Sequence, residues 1–191
     1  MNIDSVLGRR LGALICAILF LSALPGAASA IEIPEKPRPD EPPRGAVLTG
    51  KAALLFAQTS CRDPEGKSLT PWQPGPAEII RLEALLPEFM AGQKTPWDYK
   101  PLHEYYRQYM GVVRDGKKRI CVNFVHYNFV RECLKRPDLI PVQETVQEGS
   151  RAEDFWKREP LEVDDGGADF FTILVDVETG TFSHLGFNGY A

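Results

Sequence analysis

Two glycine-tipped turns constrain this chain more than any other feature. Arg114-Asp115-Gly116 lies between the runs Tyr105–Val113 and Lys117–Phe129, and Glu178-Thr179-Gly180 lies between Phe170–Val177 and Thr181–Asn188. The runs are rich in β-branched and aromatic residues, and glycine supplies the left-handed backbone that a tight hairpin needs. The pattern predicts two β-hairpins. A three-residue loop with glycine at the bulge position sets Met110 opposite Ile120 and Tyr106 opposite Phe124 in the first hairpin, whereas a two-residue Asp-Gly loop would set Arg107 opposite Phe124. A slip of one residue flips every side chain to the other face, so the three-residue loop is the expected one. In the second hairpin it sets Ile173 opposite Leu185 and Phe171 opposite Phe187.

A helix is predicted over 76–90. Pro76 suits a first helical position, and Ile79, Leu82, Leu86 and Phe89 recur at spacings of three and four, which makes one apolar stripe. Pro87 is expected to kink it or end its regular part. Residues 49–60 fit a short helix or a strand, 61–75 read as loop, and Ser150 with Glu153 has the spacing of a capping box for a short helix over 151–158. The fold class that follows is α+β: one long helix packed on a four-stranded antiparallel sheet made of two hairpins, with extra short helices. Phe170, Leu174 and Phe182 are expected on the face away from that helix, where residues 47–60 or a partner must cover them.

The ends of the chain carry an address. Arg9 and Arg10, the apolar run Leu11–Leu24 and Ala28-Ser29-Ala30 follow in the order of a secretory signal peptide. Residues 1–30 are therefore expected to be cleaved. Residues 31–46, rich in proline and charge, are expected to be a disordered tether, and 47–191 a single domain. The product is expected in the periplasm or outside the cell, with no transmembrane span after cleavage. The whole chain has a net charge of −4, and loss of Arg9, Arg10 and Asp4 makes it one unit more acidic. That balance argues against nucleic acid.

Export places Cys61, Cys121 and Cys133 where a disulfide can form. Three single bridges are possible; Cys61–Cys133 is the expected one, because Cys121 falls in a strand and the other two fall in irregular segments. No C-x-x-C pair exists.

Three histidines, His103, His126 and His184, are candidates for acid–base work. Cys121 and His126 point to opposite faces of one strand, so they form no dyad. Asp164, Asp165 and Asp169 flank Gly166-Gly167 and could hold Ca²⁺, although EF-hand spacing is absent. The chain has no nucleotide-binding glycine loop, no H-E-x-x-H and no G-x-S-x-G, and no cofactor is implied. Thr-Pro-Trp occurs at 70–72 and 95–97 and offers either core plugs or an aromatic surface. Lys117, Lys118 and Arg119 read as a solvated turn.

Trp156, Asp165-Gly166-Gly167, Phe171, Asp176, Phe182, Leu185 and Asn188-Gly189 follow in order near the C-terminus. This pattern resembles a family of small uncharacterised exported bacterial proteins over residues 76–191. The family carries no known activity, so the resemblance implies no catalytic residues. Many of its members have a cysteine where this chain has Asp164. Val175–Gly180 also resembles the last hairpin of PepSY-type domains, which implies a link to protease inhibition or regulation.

The functional expectation is an exported, non-catalytic binding or interaction domain with an envelope protein as partner, using Phe170, Leu174, Phe182 and His184 as its surface. The alternatives are an envelope hydrolase using Asp165, Asp169 and Asp176 with His184, and a structural envelope protein.

Overall fold

The computed structural model describes residues 35–61, 69–94, 99–136, 152–163 and 165–187. The expected signal peptide, Asp164, Ser150 and the second Thr-Pro-Trp triplet lie outside these residues.

The class is α+β, as expected, but the sheet has six strands and is mixed. At its centre, β3 (Tyr105–Arg114) and β4 (Lys117–His126) form a ten-residue antiparallel hairpin. Their turn is the two-residue loop, with Asp115 at φ 48° and Gly116 at φ 76°. Positive φ at both central positions suits Asp-Gly. Arg107 therefore pairs with Phe124, Tyr106 with Val125 and Met110 with Cys121, which corrects the expected register. Both faces of β3 are buried, so alternation does not distinguish the two registers, and Arg107 does not need to face water. Arg107 is only 2% exposed; its guanidinium lies over the Phe124 ring at 5.4 Å, and its Nε is 3.3 Å from Glu83.

β5 (Phe170–Asp176) pairs antiparallel with β4, and β6 (Phe182–Phe187) with β5. Phe171 meets Phe187 and Ile173 meets Leu185 as expected. They do so by a different route. The turn closes between Asp176 and Thr181, where the Asp176 N–H donates to the Thr181 carbonyl, and the register shifts between Ile173 and Leu174. His184, at φ 54°, is the extra residue of this bulge. The longer loop and the bulge offset one another. Ser183, not His184, stands opposite Leu174.

Two three-residue strands share the remaining edge of β3. β1 (Gly45–Val47) runs parallel to Arg107–Tyr109, and β2 (Thr70–Trp72) runs antiparallel to Gly111–Val113. β2 can lie so close because residue 111 is glycine; a Cβ there would collide with the Trp72 carbonyl. β1 corrects the tether expectation. Proline-rich composition said nothing of the Gly-Ala-Val stretch behind it, and Pro37 is itself buried.

α2 (Pro76–Ala91) forms where its stripe predicts. Glu78 reaches back to accept the Gly75 N–H at 2.9 Å, and Pro76 costs nothing at the first turn. Leu82, Leu86 and Met90 pack on Tyr105, Tyr109, Ile120, Val122, Phe124, Phe171, Ile173 and Val175. Phe182 belongs to this face too, stacked on Phe89 at 4.5 Å between centroids, which corrects its expected placement.

The other face is covered by three pieces. α1 (Gly50–Thr59) lies over Met110, Val112, Cys121 and Leu174. α3 (Tyr127–Lys135) and the 3₁₀ segment Ala152–Lys157 lie over Tyr106, Val125 and Phe170. The cover expected from residues 47–60 is real, and it sequesters Leu174. The disulfide joins Cys61 to Cys121, with Cα atoms 5.9 Å apart, which corrects the Cys61–Cys133 pairing. Alternation along β4 sends Cys121 to the α1 face, where the end of α1 delivers Cys61. Cys133 is a buried free thiol in the α3 cluster, and burial pushes its pKa up to about 11.

Candidate functional site

The sequence candidates do not converge on one site. Phe170 and Leu174 are buried on the α1–α3 face and Phe182 packs under α2, so the expected aromatic surface is not formed. His184 is half-buried in the β6 bulge. Asp165 is exposed, Asp169 turns toward His126, and no group of three His, Cys, Asp or Glu side chains among the described residues is placed to hold a metal ion. Asp176 is occupied in its own turn, where Oδ1 accepts the N–H groups of Glu178 and Thr179 and the Thr179 hydroxyl. These bonds to its charged form hold the carboxyl below the ordinary range. β5 is 7 residues long, so at about 3.3 Å per residue Asp169 and Asp176 stand roughly 20 Å apart. Asp169 and Asp176 are therefore too far apart to act on one bond.

Two clusters escaped the sequence reading. The first is ionic. His126 ends β4, is 2% exposed, and places Nε2 3.1 Å from Glu104 Oε2 and Nδ1 3.8 Å from Asp169 Oδ1. Glu104 Oε1 receives Lys36 at 2.7 Å. Burial alone would raise the Glu104 pKa, but Lys36 and His126 outweigh it and hold the carboxyl below its usual value. The adjacent Tyr105 hydroxyl donates to the Ala168 carbonyl at 2.7 Å, and burial pushes its pKa up. Neither hollow described below is lined by these groups.

The second cluster is a buried amide pair. Gln108 Nε2 donates to the carbonyls of Trp156 and Glu159, and its Oε1 accepts from Asn123 Nδ2 and the Leu161 N–H. Asn123 Nδ2 also donates to the Leu161 carbonyl at 2.8 Å. The amide pair fastens the irregular segment 156–161 to the sheet by its backbone. Two amides on neighbouring strands inside apolar runs were the sequence signal for it.

A hollow of about 250 Å³ opens between the first half of α2 and the β5–β6 turn. Its walls are Leu82, Leu85, Ile120, Val175 and Val177. Arg81 stands at its rim and donates to the Val177 and Glu178 carbonyls. Leu85 is 36% exposed. A second hollow of similar volume lies between the start of α1 and β2, beside Trp72 and Leu48. That tryptophan serves the core: its Nε1 donates to the Val112 and Arg119 carbonyls.

The chain matches no protein-family model, no curated protein and no solved structure. None of the helices among the described residues is long and apolar enough to cross a membrane.

Proposed function

We propose that this protein is an exported, non-catalytic binding domain, and that the hollow between α2 and the β5–β6 turn takes a bulky apolar side chain from a protein partner of the cell envelope. The observation that carries this reading is the apolar hollow of about 250 Å³ walled in part by exposed Leu85. Apolar walls with a few polar rim groups are the usual make-up of a ligand site. Asp176 is taken up by turn closure, and Glu104 and His126 by an internal ion pair.

N-phenyl-1-naphthylamine, an uncharged apolar fluorophore, tests the site. It should bind saturably at one site, be displaced by short tryptophan-containing peptides and not by Gly-Ser peptides, and lose binding in Leu85→Glu. Leu55→Glu, on the exposed side of α1, should bind as the parent does. Equal binding by Leu85→Glu and the parent, or no binding by the parent, rejects the reading.

A further inference from the structure

The segment from Glu35 to Val47 is held to the domain by the three-residue β1 ladder on β3, by buried Pro37 and by a few ties at its ends. The Arg107 N–H donates to the Arg44 carbonyl at 2.8 Å, and the Leu48 N–H to the Tyr109 carbonyl at 2.9 Å. Arg44 Nη1 donates to the Tyr106 hydroxyl. At its far end Lys36, 54% exposed, reaches Glu104 and rests over the Tyr127 ring at 5.6 Å. Most residues between these ties are exposed. Such segments open at low free energy.

Glu104 is the shared anchor. Among the described residues the charged or titratable groups around it are Lys36 from the segment, His103 at 3.9 Å from its own turn, His126 from β4, Asp169 beyond His126, Tyr105 from β3, and Tyr127 of α3, which also carries Arg131 over its ring. One oxygen of Glu104 serves Lys36 and the other His126. A single proton on this carboxylate therefore weakens both ties at once.

We propose that Glu104 is an acid-sensitive latch whose protonation releases Lys36 and lets residues 35–47 leave the edge of β3. Release uncovers the backbone of Arg107–Tyr109, which could then pair with another strand. The sign follows from linkage. The latched state holds the Glu104 carboxyl below its ordinary value, so the released state takes up the proton more readily. Acid therefore favours release, in a window below about pH 4.

Amide hydrogen exchange, corrected for intrinsic rates, reads the latch at Arg107 and Leu48, with Val122 and Ile173 reporting the sheet centre. Between about pH 7 and about pH 3, protection at Arg107 and Leu48 should fall about tenfold or more while Val122 and Ile173 stay protected. Glu104→Gln should show low edge protection at both pH values. Lys36→Met, which alters an exposed side chain, should do the same and carries the test if Glu104→Gln does not fold. Unchanged edge protection in the parent, parent-like behaviour of Lys36→Met, or simultaneous loss across the whole sheet would overturn the proposal.

Discussion

The two faces of the sheet are covered in different ways. On one, a single continuous helix, α2, closes an aliphatic and aromatic core. On the other, α1, α3 and the 156–161 segment each cover part of the surface, and α1 and 156–161 are tied down. The Cys61–Cys121 bond holds the end of α1, while Gln108 and Asn123 hold 156–161. Thr172 adds a bond to the Ser60 carbonyl at 3.0 Å. One long amphipathic stripe is held mainly by burial, with Arg81 and Glu83 adding polar ties at its flanks. Short pieces bury less apolar surface per ordered residue and need covalent or hydrogen-bonded ties.

Four perturbations can break or sharpen that contrast. Phe171→Ala, in the middle of the α2 face and stacked on Phe124 at 4.2 Å, should cost about 4 kcal/mol in denaturant unfolding. Removing the disulfide with Cys61→Ala and Cys121→Ala frees a closed loop with a sequence separation of 60. It should cost about 3 kcal/mol, and hydrogen exchange should rise in α1 well before α2. Asn123→Ala leaves the Leu161 carbonyl without its side-chain donor. A loss of about 2 kcal/mol is expected, with added proteolytic cleavage near 156–161 and little change at α2. Asp176→Asn, in the β5–β6 turn, should be the mildest, about 1 kcal/mol.

Acid should act through the depressed carboxyls of Glu104 and Asp176. Both contribute stability above the unfolded carboxyl range of about pH 4 and lose it as pH falls through their folded values. Each neutral variant should flatten the acid limb of a stability-against-pH curve; parent-like curves would contradict the pairings.

The same contrast explains what was legible in the sequence. α2 was readable, because a long periodic helix buries one face and leaves the other polar; the far-end pairs of the second hairpin agree because its longer loop and its bulge cancel. The β3–β4 register was not. Both faces of β3 are buried, so alternation carried no information, and Arg107 found Glu83 and Phe124 inside. β1 and β2 are too short to show a period, and Pro71 stood against a strand although an edge tolerates it. The disulfide pairing depends on which face of β4 Cys121 occupies, and segment type does not encode that. The hollow depends on α2 meeting the β5–β6 turn, a contact between residues about a hundred positions apart, which no local pattern encodes.

Methyl NMR during titration with a tryptophan-containing peptide tests the proposed binding face most directly. The shifts should be confined to Leu82, Leu85, Val175 and Val177, leaving Leu174 and Leu48 on the opposite face unmoved. Shifts centred on Leu174 and Leu48, or none at saturating peptide, would contradict it.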